Sequence, residues 1–188
     1  MPRFSANLSM LFPEVDFLGR FGRAAAAGFR AVEYMFPYPY GKEALAEPLV
    51  KYGLRQALFN LPAGDWASGE RGIACLPGRE GEFRDGVGLA IEYAKALDCP
   101  LVNCLVGKTP AEDPETVRRI LVENLRFAAT ALEREEIRLL VEPLNLRDMP
   151  GFYLCGTGNA VALIEEVNHP NLWLQYDVYH MQVTEGNL

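Results

Sequence analysis

Two carboxylates define the chemistry open to this sequence. Glu142 closes the run Leu139-Leu140-Val141-Glu142-Pro143-Leu144-Asn145, and Asp177 stands in Leu172-Trp173-Leu174-Gln175-Tyr176-Asp177-Val178-Tyr179-His180. In each, a short apolar run leads into an acid where turn chemistry begins, the pattern of a strand buried on both faces of a parallel sheet. In βα folds the C-terminal strand ends carry the chemistry, because the loops there vary on a fixed scaffold. Two acids at such ends of neighbouring strands are placed to share a divalent metal. An all-oxygen pair suits Mg2+ or Mn2+ better than zinc, which prefers nitrogen and sulfur. Either acid taken alone also fits a strand-end cap or an ion pair with a loop cation.

Other side chains could complete such a site. His180, three residues past Asp177, is expected to hydrogen-bond a substrate oxygen; metal ligation and a plain surface position are the alternatives. Arg71 and Arg79 lie in a glycine-rich stretch and could clamp a substrate carboxylate through the bidentate fork that arginine offers. Arg79 fits a salt bridge at a helix start equally well. Lys108, just past the fourth strand, is another cation at the reactive edge. Trp66, Phe36 and Phe59 either wall a pocket or are core. His169, in an Asn-His-Pro-Asn turn, reads as solvated, and Cys104 as an inert mid-strand thiol.

The elements that must position these groups alternate strand and helix. Strands are expected near 4–10, 31–36, 54–60, 101–107, 138–142 and from 172. Asp16 is a cap candidate for a first helix ending at Gly28, and Lys42 to Tyr52 predicts a second, kinked or delayed by Pro48. Glu80 to Leu97 is the third helix. Asp113-Pro114-Glu115 is a strong start for the fourth, with an N-cap acid, proline at the first helical position and a second acid near the dipole. Thr157 can cap a fifth. The segment Leu61 to Arg79 carries four glycines and reads as an ordered lid because Trp66, Ile73 and Leu76 are buried-type residues. Alternation of this kind implies a parallel sheet with helices outside. With no GxGxxG after the first strand and no GxxxxGK[ST], the reading is a (β/α)8 barrel type in which residues 1–188 form a single domain holding about six of the eight βα units, since such barrels typically need about 250 residues.

The totals exclude several classes. The 188 residues are 49% hydrophobic and 23% charged, an ordinary globular composition. No apolar run approaches the roughly 20 residues of a membrane span, and Met1-Pro2-Arg3-Phe4-Ser5 has no signal-peptide core, so the expected address is cytoplasmic. Four cysteines without a CxxC pair point to free thiols. A net charge of −7 argues against nucleic acid and is compatible with a carboxylate-held metal and a small substrate. A DNA-repair nuclease of the same barrel type needs a basic face and more than the two histidines present.

The segments FSANLSMLF, NLPAGDWASGERGIACLPGRE, FRDGV, NCLVGKTP, VEPLN, GFYL and QYDVYHMQ together resemble the hydroxypyruvate isomerase family of xylose-isomerase-like TIM barrels, with 2-oxo-tetronate isomerase as a sibling. The resemblance covers the whole chain. It implies interconversion of hydroxypyruvate and 2-hydroxy-3-oxopropanoate through a metal-stabilised enediolate, without an organic cofactor. It also implies that Glu142 is the catalytic and metal-binding glutamate, Asp177 the second metal-binding acid and His180 a substrate contact. The family's remaining ligands, a glutamine and a second catalytic glutamate, belong to strands seven and eight, which are absent from this sequence. The 188-residue chain alone is therefore expected to be poorly active, to self-associate through its open edge strands, or only to bind a metal or small hydroxy acid.

Overall fold

The computed structural model describes residues 3–187. Met1 and Pro2, read above as the start of a leaderless chain, and Leu188 lie outside them. The described residues build strands β1 (Ala6–Asn7), β2 (Ala31–Glu33), β3 (Arg55–Asn60), β4 (Leu101–Cys104), β5 (Arg138–Val141) and β6 (Leu172–Leu174). Between and after them run helices α1 (Gly19–Ala26), α2 (Lys42–Tyr52), α3 (Glu80–Ala96), α4 (Pro114–Glu133), α5 (Thr157–Val167) and α6 (Val178–Thr184). The strands form one parallel sheet in sequence order, β1 to β6, the arrangement of a TIM barrel's wall.

The core explains why these stretches take these forms. In β5, Leu139, Leu140 and Val141 are all buried, as a strand covered on both faces requires. Helix α4 turns Val117, Leu121, Leu125, Ala128 and Leu132 inward at helical spacing, and it starts as its sequence dictates. Asp113 accepts from the Thr116 amide at 2.9 Å, with Pro114 at the first helical position. Gly53 closes α2 in the left-handed conformation, φ 63°.

Several local expectations are corrected. Helix α2 starts at Lys42, with no delay, and carries Pro48 in its interior. At α1 the cap position is Leu18, without a side-chain cap, and Asp16 takes no such role. Gly156, φ 79°, precedes α5, whose first residue is Thr157. The Thr157 amide is instead satisfied by Glu185, at 2.7 Å. The seven-residue helix α6 follows β6 where no helix was expected, and His180 sits in its first turn. His169 is bonded at both ring nitrogens, to Thr130 Oγ1 at 3.1 Å and to the Asn171 amide at 3.1 Å.

The segment 61–79 has two parts. Ile73, Ala74 and Cys75 are buried in the core, and the Asn124 side chain of α4 donates to the Ala74 carbonyl at 2.9 Å. Gly72 lies so close to the chain leaving β4 that a Cβ there would stand 1.9 Å from the Leu105 carbonyl oxygen, and its φ is +111°. Residues 64–71, ahead of that buried stretch, are part-exposed or exposed.

Candidate active site

Each strand delivers a polar residue at or just past its C-terminal end: Asn7, Glu33, Asn60, Asn103, Glu142 and Gln175. All but Asn103, one step further inside, line a cavity of about 290 Å³ together with Trp66, Leu144, Asp148, Asp177 and His180. A break in register between Val32 and Glu33 lets β2 end on Glu33, a device common beside active sites because it re-aims a side chain. Ser5 Oγ donates to Glu33 at 2.9 Å and Asn7 Nδ2 at 3.3 Å, holding both its carboxylate oxygens.

Glu142 is 8% exposed, and its pKa is pushed up to about 7. Burial is the main cause, and the Asp177 charge adds to it; the Gln175 and Asn103 amides pull the other way. Asn103 Nδ2 reaches both Glu142, at 3.4 Å, and Asn60 Oδ1, at 3.0 Å. Asp177 caps α6 through one oxygen, accepting from the His180 amide at 2.9 Å, which leaves the other for a ligand. The strand-end-cap alternative for Asp177 is thus realised alongside its place in the cavity wall.

One ligand atom each from Glu142, Asp177 and His180 lies within 4.8 Å of the others. Gln175 Oε1, in the same wall, is buried without a hydrogen-bond partner. Oxygen donors with one imidazole and an orphaned amide oxygen fit a hard divalent cation. The Glu142, Asp177 and His180 expected from sequence are therefore brought together.

The three candidate cations are placed apart from them. The Arg71 guanidinium lies over the Trp66 ring, 3.9 Å from its centroid, and donates to the carbonyls of Trp66 at 3.1 Å and Glu70 at 2.6 Å. It reaches the cavity edge through Trp66. Lys108 is exposed, in a bridge with Phe152 outside the cavity wall. Arg79 makes the expected helix-start pairs, with Glu70 at 2.6 Å and Glu82 at 2.5 Å. Of the aromatics, Trp66 lines the cavity, Phe36 packs edge-on against it and Phe59 is core. Burial pushes the Cys104 thiol well up, in keeping with an inert residue.

Sequence reasoning passed over Glu33, Asn60, Asn103, Asn145 and Asp148. For the first three the available signal was positional, a polar residue at the end of each strand on one edge of one sheet; Asn145 and Asp148 lie in the loop after β5 and carry no such signal.

A family model described as a xylose isomerase-like TIM barrel matches residues 21–188. The hydroxypyruvate isomerase of Escherichia coli (strain K12) is 60% identical over all of this chain and 73% of its own length. The 2-oxo-tetronate isomerase of Cupriavidus necator is 48% identical, again over all of this chain and 73% of its own length. Among solved structures, one described as an AP endonuclease, family 2, from Brucella melitensis superposes with a TM-score of 0.98 at 48% identity, covering all of this chain and 73% of that one. No helix among the described residues is long and apolar enough to cross a membrane.

Proposed function

The chain belongs to the xylose isomerase-like TIM-barrel family, and on that premise we propose that it isomerises a small 2-oxo acid, interconverting hydroxypyruvate and 2-hydroxy-3-oxopropanoate. The observation that carries this reading is Glu142: a buried carboxyl with a pKa near 7, at a strand end, beside a second acid and a histidine. A group titrating near neutrality is matched to taking and returning a proton. In this reaction a proton leaves the carbon bearing a hydroxyl and is delivered to the adjacent carbon, with an enediolate between. Glu142 removes or returns that proton. A carboxylate lying over the bond between the two carbons can do both, and a second acid on the opposite face would divide the work.

Glu142 and Asp177 would hold a divalent cation, with Mg2+ or Mn2+ favoured by the oxygen donors. When bound, it would polarise the substrate's carbonyl and hydroxyl oxygens and acidify the C–H between them. His180 donates to a substrate oxygen, where charge develops. Glu33, Glu142, Asp148 and Asp177 give the wall four acids and no lysine or arginine among the described lining residues. An anionic substrate therefore calls for a cation at the rim. Arg71, on Trp66, is assigned to its carboxylate, and Lys108 is the reserve. The relative 60% identical favours hydroxypyruvate as substrate; the one 48% identical makes 2-oxo-tetronate the second substrate to try.

The test is NMR of hydroxypyruvate in D2O with the protein and Mg2+ or Mn2+. Conversion to 2-hydroxy-3-oxopropanoate, with deuterium entering at the hydroxyl-bearing carbon and both lost on chelation, is the expected result. Metal binding without exchange or conversion of either acid would leave a protein that binds and does not catalyse.

A further inference from the structure

His180 is held from one side of its ring. Its Nδ1 receives the Asn145 backbone N–H at 3.2 Å and lies 2.7 Å from the Asn145 Nδ2. A backbone N–H can only donate, so Nδ1 must be an acceptor. The side-chain amide agrees. Asn145 Oδ1 accepts from the Asp148 amide at 2.9 Å, which turns Nδ2 toward the Asp148 carboxylate, at 3.2 Å, and toward the ring. The reverse orientation would set the amide oxygen against that carboxylate and Nδ2 against an N–H. Asn145 itself is buried. Tyr179 donates to the same Asp148 oxygen and completes a chain that runs from the surface to the ring.

We infer that Asn145 is a positioning residue that holds neutral His180 in its Nε2–H tautomer, so that the ring meets a ligand in the cavity as a hydrogen-bond donor and not as a metal ligand. With Nδ1 taken, the proton of the neutral ring sits on Nε2, and a protonated nitrogen has no lone pair for a cation. Of the three groups clustered within 4.8 Å, two acids then remain as ligands, and the histidine serves an oxygen of the substrate.

This rests on the reading of His180 as a substrate contact, but the tautomer is measured on the free protein. Its failure is therefore distinct from failure of the proposed reaction. Nitrogen-15 spectra of the histidine ring, assigned by comparison with His180→Gln and recorded where the ring is neutral, should show Nε2 protonated and Nδ1 bare. Adding Mg2+ should leave that pattern in place. A Nδ1–H pattern in the unmutated protein, or loss of the Nε2 proton on adding Mg2+, overturns the assignment.

Asn145→Asp puts a carboxylate where the Nδ2 donor stood and leaves the backbone N–H alone to hold Nδ1, so the share of Nδ1–H ring should rise without becoming complete. It should lower kcat by about 10–100-fold, the usual cost of losing a residue that orients another, with a smaller change in KM. In the His180→Gln background the same change should add less than about twofold, because a residue acting through another has nothing left to act on. Equal losses in both backgrounds would make Asn145 merely structural. Should Asn145→Asp fail to fold, the ring pattern of the unmutated protein decides the matter alone.

Discussion

The cavity has two unlike walls. On the β5–β6 side the functional groups grow from a strand end, the turn after it or the first turn of α6. Glu142 and Asn145 are buried, Asp177 caps a helix, and His180 is gripped by one neighbour. On the lid side the charges pair with one another. Arg79 is shared between Glu70 and Glu82, Arg71 rests on Trp66, and much of this lies in solvent. The difference teaches a division of labour. On the roles proposed above, strands would fix the proton-transfer group to the precision chemistry needs, and a loop would supply the recognising cation.

The sharpest way to break that comparison is Glu142→Gln. Losing the proton-transfer group should lower turnover by about 10²–10⁴-fold with the fold intact. Near-parental turnover with metal still bound would remove Glu142 from the role given to it.

Next in size is a pH effect confined to the strand side. The folded-state pKa of Glu142, about 7, exceeds the ordinary 4.5, so the native chain holds this proton more tightly than the unfolded chain. Stability from the protonated carboxyl is fully present below about 4.5 and is lost as pH rises through about 7, a swing of about 3 kcal/mol. In chelator, denaturant midpoints should show Glu142→Gln overtaking the parent across that window. A difference that stays flat with pH would mean the carboxyl is not strained by burial.

On the lid, Arg71→Ala should raise KM for a carboxylate substrate about 10–100-fold more than for an uncharged analogue, since a charge-assisted contact is worth about 1.5–3 kcal/mol. Equal effects on both would return Arg71 to the support of Trp66. The smallest change belongs to Glu70→Gln, which loosens a half-exposed ion pair with Arg79 and should cost about 0.2–1 kcal/mol in thermal unfolding. A larger loss would show the lid to be as tightly built as the strand ends.

Much of this was legible in sequence wherever local chemistry decides local form. Asp113-Pro114 starts α4 because an acid and a proline satisfy a helix start without help from elsewhere. Leu139 to Val141 is a buried strand because those three residues have nowhere else to go. Reading failed where a distant partner decides. Thr157 becomes the first residue of α5 and not its cap, and its own amide finds Glu185, 28 residues on. Asn103 reads as an interior strand residue, yet it spans Asn60 and Glu142 from two other strands. That bridge exists only once the sheet is assembled.

Asp177 ties local order to chemistry. Helix α6 has seven residues, too few to persist on its own, and its first turn hangs on the bond from the His180 amide to the Asp177 carboxylate. Anything that disturbs that carboxylate loosens the backbone carrying His180, so one bond serves both the end of a helix and the shape of the cavity. The exchange rate of the His180 amide with solvent deuterium is accordingly a single-site gauge of whether this wall is assembled, readable with no substrate present.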